Sequence, residues 1–359
     1  MSWVINMFFS LETFLSNLDD FVKYYSSTEA IHAFLNNNKF VSQFSEYNVT
    51  TQKKYEYLVA VISLYGLLER FIEDIVCEYL DKLSRLKTSY SELPDEIQKN
   101  NISLSAELLT KLGYKRYVNI ITKEQVISSL HECLRENKSN LVGQAFVQHT
   151  ANYRIDEIVN VFSRIGIKNF IGKHKSSLYF KKYYKALNSV DDISYSDESK
   201  DRLYEKLNFL TNKRNEVAHG DLGNIIGRES IHELVEYIRY FCMSISDVVF
   251  KEYLFFWISD NEASKISVQK VHEGNNAICF YLSNGTISTS DHIVVVNDSQ
   301  NTNNPYKLLY SRVLELQSGD KTFTTLSDSG EGRGIPVGVK IDMKVRLNNQ
   351  FGLCCQGLL

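Results

Sequence analysis

Proline is nearly missing from this chain: Pro94, Pro305 and Pro336 are the three in 359 residues. With so few rings to break a helix, long helices are free to form, above all in the first 260 residues, where Pro94 stands alone. Neither sign of charge dominates, with 40 Lys and Arg against 43 Asp and Glu and a net charge of −3. That excludes a bulk pull towards nucleic acid, so any such binding must come from a local patch. No run of about 18 apolar residues occurs, so no membrane span is expected. The opening MSWVINMFFSLETF is apolar but lacks a basic start and a small-residue cleavage site, and Glu12 interrupts it. It reads as a core-packing helix rather than a signal peptide. The six cysteines, at 77, 133, 242, 279, 354 and 355, form no C-x-x-C pair. They exclude a zinc motif by spacing and a disulfide framework by density, and fit reduced thiols in a cytoplasmic protein. The histidines are too scattered to nominate a metal site, GEGRGIP lacks the Lys-Ser/Thr of a phosphate loop, and no Ser-His-Asp or paired-carboxylate spacing stands out. No cofactor and no metal are expected.

What is present divides into two regimes. Up to about residue 258 the pattern is helical; from about 264 it is strands and turns. From Lys53 to Leu83 apolar residues recur at three- and four-residue steps, through Leu58, Ile62, Tyr65, Leu68, Ile72, Ile75 and Tyr79, which predicts a long amphipathic helix. Further helices are predicted over 105–137 as a pair and over 155–167, with a polar loop over 138–152 between them. Another helix starts at Ser196 or Asp197, buries Leu203, Leu207 and Leu210, and stops at Gly220. A last one runs from about Glu229 to Leu254. Beyond it, KISVQKVHE, AICFYLSNGTIST, HIVVVND, YKLLYSRVLEL, KTFTTLS and VGVKIDMKVRL predict five to seven strands, with Asn284-Gly285 as a hairpin turn. The fold class expected is α+β: an N-terminal helical extension over 1–50, a helical bundle over 51–258, and a small β-rich barrel or sandwich over 264–359.

Within the helical part lies TNKRNEVAHGD. Asn215 and His219 stand four residues apart and share a helix face. Arg214 is about 140° round the axis from His219 on a regular helix, and its long stem can reach the same surface. The set holds a cation that keeps its proton, an imidazole that exchanges one, and an amide. Those groups suit RNA cleavage without a metal. His219 can take a proton from a ribose 2′-OH or give one to the leaving 5′-oxygen, and Arg214 can offset charge on the phosphate. Asn215 can orient the histidine or contact the phosphate.

RNEVAHG resembles the Arg-x4–6-His signature of the HEPN ribonuclease superfamily, commonly with Arg-Asn at its start and His-Gly at its end. The upstream SLYGLLERFIEDIV resembles the early helix of that family, which carries a glutamate among apolar residues, here Glu69. The long helix after the motif also matches, so the resemblance covers roughly residues 50–255. It is closest to prokaryotic HEPN proteins of toxin–antitoxin and antiviral defence systems. The resemblance implies an all-α bundle, a homodimer with a composite site facing RNA, and products ending in 2′,3′-cyclic phosphate and 5′-hydroxyl. It also implies a possible antitoxin or defence-system partner protein. Glu69 is then either a partner fixing Arg214 or His219, or an ordinary interhelical ion pair. The alternative function is a non-catalytic HEPN module that binds RNA or a partner.

A second cluster, KHKSSLYFKKYYK, interleaves Lys173, Lys175, Lys181, Lys182 and Lys185 with Tyr179, Phe180, Tyr183 and Tyr184. It is either an RNA-binding patch, lysines on phosphates and rings on bases, or a solvated helix face with aromatics in the core.

Overall fold

A computed structural model describes residues 8–37, 49–149, 151–188, 195, 197–221, 225–260, 265–272, 274, 276–296, 308–330 and 332–354. The chain divides into two compact units after Val249, and that division falls inside a helix.

The first unit is helical. Helix α1 (Phe9–Asn37) turns Leu11, Phe14, Leu18, Phe21 and Tyr25 inwards at alternating three- and four-residue steps and packs on α2 (Val49–Leu86). Glu78 of α2 ties down the start of α1, accepting from the Phe9 and Ser10 amides at 2.9 Å each. A carboxylate on the exposed N–H groups of a first turn also complements the helix dipole. The face that α2 buries runs through Tyr57, Val61, Leu64, Leu68, Ile72, Ile75 and Tyr79. Ile62, expected inside, is 44 % exposed. The helix is apolar over more than one face, so periodicity alone does not fix its rotation.

Pro94 stands at the N-cap of α3 (Asp95–Lys111), and Thr122 with Gln125 forms a capping box on α4 (Lys123–Arg135). The polar stretch expected to be loop contains α5 (Gly143–Phe146), with Ala145 and Phe146 fully buried. Gly143 is needed there, because a Cβ at that position would lie 2.8 Å from Cys77 Sγ on α2. Helices α6 (Ile155–Arg164), α7 (Phe170–Ser176) and α8 (Leu178–Asn188) follow. The expected single helix before Gly220 is in fact two, α9 (Lys200–Leu203) and α10 (Glu205–Ala218), broken at the buried Tyr204. Ser199 caps α9; the expected cap Ser196 lies outside the described residues. Leu203, Leu207 and Leu210 are buried as expected. Helix α11 (Arg228–Asp260) is buried on every side from Phe241 to Phe250, the mark of a central helix. No helix among the described residues is long and apolar enough to cross a membrane.

The second unit is β-rich: β1 (Lys265–Ile266), β2 (Val268–Val271), β3 (Ala277–Leu282), β4 (Gly285–Ser288), β5 (His292–Val296), β6 (Leu308–Arg312), β7 (Glu315–Ser318), β8 (Lys321–Phe323), β9 (Thr325–Asp328), β10 (Ile335–Lys340) and β11 (Gln350–Cys354). They form antiparallel sheets in the orders β1-β11-β5-β6, β2-β3-β10-β7-β8 and β4-β9. Ile278, Phe280, Val337, Ile293, Phe351 and Ile287, drawn from all three sheets, share one core. The strands are more numerous and shorter than expected. The Asn284-Gly285 turn does not make a hairpin of its flanking strands either. Asn284 takes the left-handed conformation, and its amide is held by Asp328, so β4 leaves β3 and pairs with β9.

Candidate functional site

The RNEVAHG sequence forms the last turns of α10 and its stop. His219 is the C-cap residue, and its N–H bonds the Asn215 carbonyl at 3.0 Å. Gly220 follows with φ +76°; its amide bonds Val217 O and the Asp221 amide bonds Glu216 O. This 5→2 and 6→1 pair is the Schellman closure, which needs a left-handed residue just past the cap. The His-Gly pair therefore places an exposed imidazole at the end of a helix whose backbone cannot continue.

One turn earlier, Arg214 and Asn215 are half-buried. The Arg214 guanidinium lies over the ring of Tyr65 on α2, 5.2 Å from its centroid, a cation–π contact. Arg214 Nη1 donates to Asn215 Oδ1 at 3.3 Å, and Asn152 Nδ2 donates to the same oxygen at 2.6 Å. Arg214 and Asn215 thus meet directly. His219 joins them through the helix backbone and makes no side-chain bond to either among the described residues.

Glu69, on the same helix as Tyr65 and one turn further on, pairs with His149, whose Nε2 lies 3.3 Å from its carboxylate. Glu73 is 3.4 Å from that same nitrogen, and Arg116 bonds Glu73 and stands 3.1 Å from Nε2. His149 Nδ1 donates to the Ala151 carbonyl at 2.8 Å. Burial works against charge on His149, but its bonds to Glu69, Glu73 and Ala151 outweigh it and lift its pKa to about 9. The charged ring gives its Nε2–H to the carboxylates, and Arg116 is then a neighbour across the shared Glu73 rather than a donor to the ring. The bond from His149 also holds the Glu69 carboxyl below the usual range against the effect of burial, helped by the charges of Arg116 and Arg214. Ligand atoms of Glu69, Glu73 and His149 lie within 4.8 Å of one another and are the donor types a metal ion takes. The Arg116 guanidinium on Glu73 and the charged His149 ring already supply positive charge to the two carboxylates.

His149, Glu73, Arg116, Asn152 and Tyr65 had no sequence motif to mark them. The readable signals were the Glu69–Glu73 spacing of four on one helix and the apolar Ala145–Val147 run, which argues against a free loop over 138–152.

In the lysine–aromatic cluster, Phe180, Tyr183 and Tyr184 are core residues, and Lys173 is buried. Lys175 donates to the Glu198 carbonyl at 3.0 Å, Lys181 and Lys185 are half-buried, and Lys182 is exposed. A cleft of about 280 Å³ lies nearby, bordered by Tyr183, Tyr184, Arg202, Lys206 and Tyr237, and takes in none of the motif residues.

The helical unit thus carries an Arg-Asn pair braced on α2 and a histidine on the capping turn of α10. The family model described as RiboL-PSP-HEPN matches residues 19–251, well over half the chain, and the protein belongs to that family. HEPN domains are ribonucleases or RNA-binding modules and often dimerise. No curated protein and no solved structure matches the chain.

Proposed function

We propose that the protein is a metal-independent endoribonuclease, with Arg214, Asn215 and His219 as its catalytic groups and the activity housed in the helical part, residues 51–258. The observation that carries this reading is the capping turn. It sets His219 in solvent one helical turn from an arginine already braced on an aromatic ring. In the reaction the ribose 2′-oxygen bonds to the adjacent phosphorus while the bond from phosphorus to the 5′-oxygen breaks. One His219 takes the 2′-OH proton, and the 5′-oxygen leaves as a hydroxyl with a proton from a second acid. A homodimer supplies that acid as the second copy's His219 in a composite site. Arg214 offsets charge growing on the phosphate oxygens. Asn215 gives its oxygen to Arg214 and Asn152 and so keeps its amide N–H groups for the phosphate. Glu69 acts at one remove, as the carboxylate facing Arg214 and His149. Among the lysines of 173–185, the exposed Lys182 is the one this reading assigns to RNA phosphates. The biological setting is a toxin or antiphage defence system, with an antitoxin or defence protein as partner.

The test is cleavage of a mixed tRNA and mRNA pool in EDTA. Wild type should leave 2′,3′-cyclic phosphate ends. His219→Ala should lose about 100- to 10,000-fold in rate, and Arg214→Ala about 100- to 1,000-fold, with both variants folded. RNA binding without cleavage by wild type would turn the reading to a non-catalytic binding module.

A further inference from the structure

We infer that His149 is a positioning residue for the Arg214–Asn215 pair, acting through the residues that follow it, Ala151 to Arg154. This rests on the nuclease reading above and extends it. Three consecutive residues of this segment are stitched to α10. Asn152 donates to Asn215 Oδ1 at 2.6 Å, the Tyr153 carbonyl accepts from Thr211 Oγ1 at 3.1 Å, and Arg154 bonds Asn212. The same segment is fastened to α2. The Tyr153 amide donates to Tyr65 Oη at 2.8 Å, and Tyr65 is the ring under Arg214. His149 anchors its start, with its ring 4.2 Å from the Tyr153 ring, its Nδ1 on Ala151 O and its Nε2 between Glu69 and Glu73.

The strap is also held from behind. Gln148 Nε2 donates to the Leu104 carbonyl at 2.7 Å, and Arg164 bonds the Phe146 and Gln148 carbonyls. His149 is therefore the last fixed point before a segment whose Asn152 aims the Asn215 amide and whose Tyr153 seats the Tyr65 ring. An ion-pair cluster serving stability alone would have no need of an amide bond onto a motif residue. Displacing an oriented group by about 1 Å can cost on the order of 100-fold in rate, so the cluster acts on turnover rather than on RNA affinity.

The experiment is single-substrate kinetics in EDTA, with thermal melting, on the full-length wild type, His149→Ala, His149→Gln, Asn152→Ala, Asn215→Ala and the Asn152→Ala/Asn215→Ala double variant. Expected are falls of about 10- to 100-fold in kcat for His149→Ala and Asn152→Ala, with KM within about 3-fold of wild type. His149→Gln, which keeps hydrogen-bonding capacity, should recover part of the loss. The double variant should be no slower than Asn215→Ala alone, since Asn152 works through that residue. Asn152→Ala removes a half-buried amide and keeps the assay interpretable if His149→Ala unfolds. Active wild type with an equally active Asn152→Ala, or losses that add in the double variant, would overturn this inference and leave the nuclease reading standing. A wild type that cleaves no RNA would overturn both.

Discussion

At the scale of single residues, two positions are under constraints that chemistry alone can state. Gly220 sits at φ +76° in the turn that ends α10. A Cβ there meets no neighbour, so the cost of Gly220→Ala is conformational, about 1 kcal/mol. It should appear as a modest fall in Tm together with a larger proportional loss of RNA cleavage, because the same turn presents His219. Equal activity per folded molecule would show that the capping turn does not position the histidine. His174 poses a different problem. It is fully buried among Phe170, Phe180, Tyr204 and Phe241, and burial pushes its pKa down to about 3. Its Nδ1 lies 3.1 Å from Tyr204 Oη. Because the unfolded chain takes up this proton near pH 6.5 and the folded one does not, stability should fall as pH drops below 6.5. The slope from this one group approaches about 1.4 kcal/mol per pH unit down towards pH 3. Urea unfolding at pH 7, 6 and 5 on wild type and His174→Phe checks this. Parallel curves for the two proteins would rule it out.

At the scale of elements, the ends of the long helices are joined by charge as well as by core packing. Arg228, first residue of α11, donates to Glu56 of α2 at 2.6 Å and to the Tyr25 carbonyl of α1 at 3.0 Å, and covers the Tyr25 ring at 4.6 Å. His32 of α1 meets the other oxygen of Glu56 at 2.6 Å. Arg228→Ala leaves a largely buried carboxylate without its cation and should cost about 1–3 kcal/mol, read as a lower urea midpoint with an unchanged m-value. A change within about 0.3 kcal/mol would mean that the network is screened like a surface pair. The elements themselves were legible to different degrees. The burial of Leu203, Leu207 and Leu210 and the glycine stop of α10 could be read directly, since the signals are local. The break at Tyr204 could not, because it depends on that side chain being drawn into the aromatic cluster round His174. Nor could α5, a single turn whose burial depends on the close approach of Gly143 to Cys77.

At the scale of the whole molecule, the outer face of α2 carries Tyr55, Val59 and Ile62, each 44 % exposed or more, and then Gly66, where no side chain blocks approach. Ile62 stands about 60° and Gly66 about 100° round the axis from Tyr65, the ring that supports Arg214. Under the composite-site reading proposed above this stripe is the dimer contact, and Ile62→Asp should shift the protein towards monomer in sedimentation and lower cleavage in step. A site that draws on His219 of both copies also predicts that a defective subunit is dominant. Wild-type and His219→Ala proteins, unfolded together and refolded as mixed dimers, should cleave less than the share of wild-type chains, because a mixed dimer lacks either the base or the acid. Activity in proportion to that share would place all the catalytic groups within one subunit.

The helical and β-rich regimes, the RNEVAHG signature and the family are legible along the chain, because local periodicity, capping glycine and motif spacing are properties of neighbouring residues. Tertiary structure decided the rest. The rotation of α2, which leaves Ile62 outside, was open because the helix is apolar on more than one side. The pairing of β4 with β9 depends on Asp328 reaching Asn284 across 44 residues. The surroundings of the motif come from Tyr65, Glu69, Glu73, Arg116, His149 and Asn152, up to 149 positions from Arg214 in the chain and gathered by packing alone. Contacts between residues so distant leave no periodic trace, and a histidine in a polar stretch becomes part of a site only when two carboxylates from another helix close on it.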